Sequence, residues 1–348
     1  MSTPASIPVF DGHNDVMTRE DAAGFATGRE GGHLDLPRAR AGGLAGGIFA
    51  LFTDTPGDEE WEPHEREDGG YDVDLAAPVG RELAAATATR AAGRLLALER
   101  AGHVRIARRA SDLDEARAAG VLAAVVHLEG AEAIDPGLLA LELWHAAGLR
   151  SLGPVWSRPN AFGHGVPFSF PGSPDTGPGL TRAGRALVRR CAELGIAVDL
   201  SHLNEAGFWD VARLDRGPLI ASHSGVHALA PATRNLTDAQ LDAIAASGGL
   251  VGIVFAAPFL RADGKDEADT PLATIVAHAR YAADRIGVEH VALGSDFDGA
   301  TIPAELGDVA GLPRLLAALR DDGFAADEVE AIAWGNWRRV LERAWSVT

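Results

Sequence analysis

The sequence predicts an α/β fold in which eight parallel strands close into a (β/α)8 barrel, the TIM barrel. Eight short apolar runs alternate with longer helical patterns over the 348 residues. The runs are nearly continuous in apolar residues, which is typical of parallel strands covered on both faces. No change of composition marks a second domain, so residues 1–348 are expected to form a single barrel domain with C-terminal helices. A doubly wound open sheet is the second choice.

Each predicted element follows from a local pattern. The predicted strands are Ile7–Phe10, Gly46–Leu51, Ala123–Leu128, Leu149–Trp156, Ile196–Leu200, Leu219–Ser222, Leu250–Phe255 and His290–Gly294. Helical periodicity predicts helices at Val79–Arg100, Leu138–Ala147, Arg182–Leu194, Glu205–Leu214, Asp238–Ala246 and Leu272–Ile286, and two terminal helices at Leu312–Arg320 and Asp327–Trp345. Thr237 and Gln240 form a capping box, which marks a helix start. Two long loops, Thr53–Asp74 and Ser157–Gly179, follow strands and are expected at the mouth of the barrel.

Charge and rare residue types exclude several classes of function. A formal net charge of −18 argues against nucleic acid, whose phosphates need a basic surface. No long apolar run predicts a membrane span, and no signal peptide is recognised before the first strand. The single cysteine, Cys191, fits a reduced, cytoplasmic setting. Lys265 is the only lysine and lies in an acidic loop, which disfavours Schiff-base chemistry and a carbamylated lysine bridging two metals.

Residues of the types that bind metals follow five of the predicted strands. They are His13 and Asp15 after the first strand, Glu129 after the third, His202 after the fifth, His223 after the sixth and Asp296 after the eighth. In a parallel barrel these strand ends open onto one face, so residues far apart in the chain are expected to meet in one cup. A single histidine near a strand end is more often a hydrogen-bonded structural residue. Six suitable residues after five strands are a stronger signal for a metal site.

These residue types fit a hydrolytic centre with two metal ions. Neutral imidazole and carboxylate are good zinc ligands, and two cations ~3.5–4 Å apart can share a hydroxide and polarise a carbonyl. The pair needs a bridging anion, for which Glu129 is the candidate. Asp296 suits the group that takes a proton from water and gives it to the leaving amine. Manganese or iron could occupy the same ligands.

The motifs resemble one known family, the membrane (renal) dipeptidases. The resemblance runs from about Phe10 to Trp345. It is carried by Asp11-Gly-His-Asn-Asp15, His33-Leu-Asp-Leu-Pro37, Gly42-Gly43, Glu129-Gly130, Asp199-Leu-Ser-His202, Ser222-His-Ser224, Arg234-Asn235, Gly294-Ser-Asp-Phe-Asp-Gly299 and Gly335-Asn-Trp337. Each motif is short, but their order and spacing together are highly specific.

The resemblance implies a TIM barrel of the metal-dependent hydrolase type that hydrolyses dipeptides, often with a D-residue at the C-terminal position. It implies two Zn2+ per chain, with ligands His13, Asp15 and Glu129 for the first ion and Glu129, His202 and His223 for the second. Asp296 would be the acid/base. Arg234 would bind the substrate carboxylate, a role suited to a planar guanidinium. Without the resemblance, a surface salt bridge is the simpler interpretation of Arg234.

One position departs from the family pattern. The family usually has a substrate-contacting histidine after strand four, where this chain has Trp156. An indole N–H donates a hydrogen bond but carries no proton charge, so Trp156 either contacts the scissile carbonyl or shapes the substrate pocket. His164, in Phe162-Gly-His-Gly165, is the candidate to replace the missing imidazole. The departure bears on the substrate more than on the metal site.

The sequence therefore predicts a metallo-dipeptidase that acts on a small dipeptide, without nucleic-acid or membrane partners and with a homodimer left open. Two alternatives remain. The first is a barrel metallohydrolase for another amide or ester, such as an N-acyl amino acid, a lactone or a β-lactam, which Trp156 keeps open. The second is a non-catalytic metal- or ligand-binding barrel, which the complete ligand set and Asp296 disfavour.

Overall fold

A computed structural model of the chain describes residues 7–56, 63–214 and 217–346. Its centre is a barrel of parallel strands, namely β1 (Val9–Asn14), β2 (Leu44–Leu51), β3 (Leu122–Glu129), β4 (Leu149–Gly153), β5 (Ala197–Val198), β6 (Ile220–Ser224), β7 (Leu250–Ile253) and β8 (Val291–Leu293). Strands β1 to β5 pair in chain order as one sheet, and β6 to β8 pair as another. Parallel bridges from Asp199 to Ile220 and from Asn14 to Phe297 join the two sheets and close the barrel. The predicted TIM-barrel fold is confirmed.

Helices surround the barrel, and most of them bury an apolar stripe against the strands. They are α1 (Leu36–Gly42), α2 (Arg81–Arg100), α3 (Ala110–Ala118), α4 (Leu139–Ala147), α5 (Arg182–Leu194), α6 (Glu205–Leu214), α7 (Asp238–Ser247), α8 (Ala257–Leu260), α9 (Leu272–Ile286), α10 (Leu312–Asp321), α11 (Ala326–Glu330) and α12 (Asn336–Trp345). At the start of α7, the backbone N–H of Thr237 donates to the Gln240 side chain at 2.8 Å and Thr237 accepts from the Gln240 backbone at 3.4 Å. The predicted capping box is confirmed.

The elements that were not predicted include α1, α3, α8 and a strand at Val104–Ile106. This strand pairs with the first residues of β3, and three residues are too few for a periodic pattern to be recognised. The start signals of α1 are present in the sequence. Asp35 caps it by accepting a hydrogen bond from the Arg38 backbone at 2.8 Å, and Pro37 lies in its first turn.

Several strand ends differ from their predicted positions at the mouth of the barrel. β1 continues to Asn14 and β6 to Ser224, so His13 and His223 lie within their strands rather than just past them. β4 ends at Gly153, so Trp156 lies in the loop that follows. The predicted strands end where the apolar residues end. In the structure, backbone pairing extends β1 and β6 through the polar residues that follow.

The C-terminal segment closes the opposite end of the barrel. A π-helical turn at Ala331–Gly335 separates α11 from α12, where one helix was predicted. Trp337 donates its indole N–H to the Leu293 carbonyl at 2.9 Å and packs against Phe10, with ring centroids 5.5 Å apart. A side chain at Gly12 would clash with the Trp337 ring, so only glycine fits there. Because this end is sealed, the carboxyl ends of the strands form the open mouth.

The two long loops meet beside this mouth. A small antiparallel sheet joins His64–Glu65 and Tyr71–Asp72 of the first loop to Ser169–Phe170 of the second. The loops after β2 and β4 are therefore linked to each other. Across the described ranges, no helix is both long and apolar enough to span a membrane.

Candidate metal centre

The carboxyl ends of β1 and β3 bring three metal-type side chains together. The Nε2 atom of His13 lies 3.4 Å from Oδ2 of Asp15 and 3.4 Å from Oε2 of Glu129. One ligand atom from each of these residues lies within 4.8 Å of the other two. All three side chains are buried. We call this group of His13, Asp15 and Glu129 the first half-site.

Glu129 also belongs to a second half-site. Its Oε1 atom lies 3.1 Å from Nε2 of His202 and 3.7 Å from Nε2 of His223. The two histidine Nε2 atoms are 3.1 Å apart. The two oxygens of one carboxylate therefore face two different sets of side chains. Five of the six residues singled out from strand ends in the sequence therefore lie in one buried cluster.

Asp296 lies beside both half-sites, since its carboxylate forms a further close group with His13 and His223. Its backbone N–H donates to the His13 carbonyl at 3.0 Å. Asp296 has a φ of 63° and His202 a φ of 66°. These left-handed conformations are uncommon for residues other than glycine, and strain of this kind concentrates at functional sites. Two residues of the cluster are thus held in backbone conformations that the surrounding structure must maintain.

Burial and charge act in opposite directions on the acids and imidazoles of the cluster. Burial opposes ionisation of Glu129, but the imidazoles of His13 and His202 outweigh it, so the pKa of Glu129 lies well below its usual value. Burial also disfavours the imidazolium of His13, but the carboxylates of Glu129 and Asp15 raise its pKa. Burial, reinforced by the Asp15 carboxylate, raises the pKa of Asp296 to about 7. Carboxylates crowded in a buried cup favour a bound cation.

A chain of hydrogen bonds fixes the ring of His223. Burial opposes ionisation of Asp199, but His127 and hydrogen bonds from Ser222 hold the pKa of Asp199 below its usual value. The Ser222 hydroxyl donates to this carboxylate and therefore accepts from Nδ1 of His223, 2.8 Å away. The proton is thus on Nδ1, and Nε2 presents its lone pair towards Glu129. This is the tautomer that a metal ligand needs.

The donor set fits a divalent metal ion. Both ring nitrogens of His13 and Oδ1 of Asp15 are buried without a hydrogen-bond partner among the described residues. Buried polar atoms of this kind cost free energy unless a partner binds them. Imidazole nitrogen and carboxylate oxygen are donors that zinc prefers. The residues therefore have the chemistry of a metal-binding centre.

Arg234 is buried beside the second half-site. Its Nη1 donates to the Ser224 hydroxyl at 2.9 Å and its Nη2 to the His223 carbonyl at 2.9 Å. Burial lowers the pKa of Arg234 to about 10, which keeps the guanidinium charged at neutral pH. The surface salt bridge considered from the sequence is wrong, because Arg234 is only 4% exposed. Its Nε is buried without a hydrogen-bond partner among the residues described.

The two other predicted substrate contacts differ in position. Trp156 is half-buried and lies against His202, with ring centroids 5.7 Å apart. His164 is half-buried in a backbone bridge with Pro159. Within the described ranges, no hydrogen bond, ion pair or ring contact joins the His164 side chain to the cluster. Trp156 thus contacts the cluster, whereas among the described residues no contact joins the His164 side chain to it.

The supporting residues of the cluster were not identified from the sequence. Asp11 accepts hydrogen bonds from the backbone and hydroxyl of Ser295, at 2.7 and 2.9 Å, and so joins β1 to the loop after β8. Asp199 joins β5 to β6 through Ser222, as described above. The available signal was an acid at the end of an apolar run, with Asp11 directly after Ile7–Phe10 and Asp199 near the end of Ile196–Leu200.

The barrel and its mouth define the class of the protein. A TIM barrel whose catalytic face carries two adjoining groups of histidine and carboxylate, sharing one glutamate, is a metal-dependent hydrolase. The model of the membrane dipeptidase family, peptidase family M19, matches residues 3–348. The chain belongs to this family and is a metallo-dipeptidase, as the sequence motifs predicted.

Relatives and solved structures agree with this assignment. A metallopeptidase from Rhodobacter sphaeroides, solved with a phosphinate mimic of the dipeptide L-Ala-D-Ala, is 47% identical with a TM-score of 0.92, covering 98% of this chain and 100% of that one. The crystal structure of the M19 dipeptidase AC is 48% identical with a TM-score of 0.91, covering 97% of this chain and 99% of that one. An uncharacterised protein from the pqqA 5′ region of Klebsiella pneumoniae is 52% identical over 245 residues, 70% of this chain and 90% of that protein.

Proposed function

We propose that the chain is a binuclear zinc dipeptidase that acts as a single catalytic domain and accepts dipeptides, including those with a D-residue at the C-terminal position. One observation carries the proposal: the two oxygens of Glu129 face two separate groups, with His13 at 3.4 Å on one side and His202 at 3.1 Å on the other. A carboxylate between two half-sites suits a bridging ligand. The phosphinate mimic of L-Ala-D-Ala bound by the Rhodobacter sphaeroides relative supports the substrate class.

In this proposal His13, Asp15 and Glu129 hold one Zn2+, and Glu129, His202 and His223 hold the other. When bound, the two cations supply an activated water and polarise the scissile carbonyl. Each chain residue then has a separate task. Asp296, close to His13 and His223, takes the proton from the attacking water and gives it to the leaving amine.

Arg234 binds the carboxylate of the dipeptide. Ser224 and the His223 carbonyl fix its guanidinium, whose positive charge attracts the substrate carboxylate. Trp156, next to His202, contacts the substrate near the scissile bond. A substrate role of His164, a cytoplasmic location and a homodimer stay predictions. The reduced setting is supported by the single buried cysteine.

Removal of metal is expected to abolish turnover, and about two equivalents of Zn2+ per chain should restore it. The measurement combines chelator treatment, metal analysis and a panel of L-L and L-D dipeptides. Saturation at one equivalent would contradict the binuclear centre. If the zinc-loaded protein hydrolysed no dipeptide of the panel, the alternative suggested by Trp156, an N-acyl amino acid, lactone or β-lactam substrate, would replace the dipeptide.

Arg234→Lys is expected to raise KM by roughly 10- to 150-fold, because a hydrogen bond to a charged group contributes about 1.5–3 kcal/mol. A lysine keeps the charge but cannot hold Ser224, the His223 carbonyl and a carboxylate at once. Dipeptide amides, which lack the carboxylate, provide the matched control. The variant and the parent protein should have similar KM values for the amides; an equal rise for acids and amides would argue against a carboxylate clamp.

A further inference from the structure

Arg158 is a fully buried arginine that the proposed chemistry does not use, with 0% of its surface exposed. Its Nε donates to Oε1 of Glu132 at 2.9 Å and its Nη1 to the Thr55 hydroxyl at 3.1 Å. Glu132 follows β3, Thr55 follows β2 and Arg158 follows β4. The guanidinium therefore ties together three loops at the mouth of the barrel. A charge buried this deeply is costly to keep, so its position calls for a role.

The flat guanidinium of Arg158 also packs against two aromatic rings. Its central carbon lies 5.2 Å from the ring centroid of Phe52 and 5.2 Å from that of Trp156. The two rings are themselves 5.0 Å apart between centroids. A planar cation that stacks on rings while donating in its own plane is particular to arginine. Arg158 thus holds the Trp156 indole from one side.

The other neighbours of Trp156 belong to the substrate-binding region. Its ring lies 5.7 Å from that of Phe168 and 5.7 Å from that of His202, between centroids. Phe168 stacks on Phe259 at 5.7 Å, and Phe259 lies under the guanidinium of Arg234. A continuous aromatic surface therefore runs from the proposed carboxylate clamp to the imidazole of the second half-site. We call Phe52, Trp156 and Phe168, which are all half-buried, the aromatic wall.

The ion pair that holds Arg158 is itself built into the loop after the proposed bridging glutamate. Gly130 has a φ of 83°, and a side chain there would clash with Oε2 of Glu132. Glycine at this position therefore lets the Glu132 carboxylate reach Arg158. Ser157, which lies between Trp156 and Arg158 in the chain, places its hydroxyl 2.8 Å from Nδ1 of His202. This contact to His202 helps to fix the backbone that carries Trp156 and Arg158.

We propose that Arg158 is a positioning residue that fixes the Trp156 indole within the aromatic wall, and that this wall binds an apolar side chain of the dipeptide. The inference rests on the proposed dipeptidase function. The wall is apolar, adjoins His202 of the metal centre, and reaches Arg234 through Phe259. It therefore favours an aliphatic or aromatic substrate side chain over a charged one.

Arg158→Lys tests the proposal, because lysine keeps a charge near Glu132 but cannot stack on both rings. In the zinc-loaded protein, KM should rise by about tenfold for glycyl-leucine or for leucyl-glycine, the scale of a lost aromatic contact. The value of kcat should change little, because the wall binds ground state and transition state alike. Glycylglycine, which has no side chain for the wall, should show less than about a twofold change. Metal content should be unchanged.

A double-mutant cycle separates positioning from a general structural effect. If Arg158 acts through Trp156, Arg158→Lys should add little to KM in a Trp156→Phe background. Additive effects, or an equal rise in KM for all three dipeptides, would overturn the proposal. Arg338→Lys is the matched control, because Arg338 pairs with Asp114 at 2.9 Å on the closed side of the barrel. It should leave KM unchanged.

A second variant keeps the test valid if Arg158→Lys does not fold. Glu132→Gln retains a hydrogen-bond acceptor for Arg158 but removes the charge that anchors it, and should raise KM for the same leucine dipeptide. Unchanged KM values in folded Glu132→Gln would count against the proposal. Turnover by the parent protein distinguishes failure of the proposed dipeptidase function from failure of the proposed role of Arg158. If it hydrolyses none of the three dipeptides, the proposed function fails; if it does and the cycle is additive, only the role of Arg158 fails.

Discussion

Glu129→Gln is expected to lower dipeptide turnover by about a thousandfold or more and to reduce bound zinc below two equivalents per chain. Glutamine has nearly the shape of glutamate but no negative charge to offset two dications. The side chain lies 3.4 Å from His13 and 3.1 Å from His202, so its loss affects both half-sites at once. A metal pair contributes several kcal/mol of transition-state stabilisation, and about 4 kcal/mol corresponds to a thousandfold in rate.

The measurement is zinc content by metal analysis, together with kcat for a dipeptide that the parent protein cleaves. Glu99→Gln is the matched control, because Glu99 is also hydrogen-bonded, to Arg108 at 2.9 Å, but lies on α2 away from the mouth. It should retain full metal and activity. Melting curves of both variants exclude global unfolding as the cause. Two tightly bound zinc ions and near-normal turnover in Glu129→Gln would remove Glu129 from the bridging role.

The loop after β8 illustrates what supports the acid/base candidate. Asp298 pairs with Arg29 at 2.7 Å and accepts from the His33 backbone at 2.9 Å, while its own backbone N–H donates to Nδ1 of His33 at 3.0 Å. These contacts attach the loop that carries Asp296 to the segment before α1. The His33-Leu-Asp-Leu-Pro37 motif, which has no evident ligand role, thus has a structural one. It stabilises a loop in which Asp296 keeps its left-handed backbone.

The fold and the centre of the cluster could be predicted from sequence for a physical reason. Parallel strands covered on both faces are nearly continuous in apolar residues, so polar residues at their carboxyl ends stand out. In a closed barrel all such ends converge, which makes His13 and Glu129 neighbours although β2 and several helices separate them in the chain. The barrel topology is therefore sufficient to predict that His13 and Glu129 lie close together.

The residues that the sequence did not reveal act through contacts between loops. Arg158 and Glu132 do not belong to a periodic sequence pattern. Nothing in the sequence indicates that these two charged side chains are buried and form an ion pair with each other. The chain from Asp199 through Ser222 to His223 likewise depends on how β5 and β6 pair. Orientation of a histidine ring is a property of its hydrogen-bond partners rather than of its position in the sequence. Such contacts become visible only in three dimensions.

Asp296→Asn is the second change with a large expected effect, and it should act on chemistry rather than on metal binding. Positioned proton transfer contributes about 10²- to 10⁴-fold, so kcat is expected to fall by this amount while zinc content stays near that of the parent protein. Burial and the Asp15 carboxylate make the Asp296 carboxyl easy to protonate, raising its pKa to about 7. Asparagine preserves the size of the side chain but neither accepts nor returns a proton.

The pattern of loss distinguishes a proton shuttle from a metal ligand. If Asp296 were chiefly a ligand, the Asn variant would lose zinc and recover activity when more zinc is added. If it moves the proton, added zinc restores nothing, and substrates whose leaving group needs no protonation lose less kcat than dipeptides do. Asp284→Asn on α9, with its side chain 68% exposed, provides the control and should retain full kcat. Recovery of Asp296→Asn by zinc would therefore move Asp296 from acid/base to ligand.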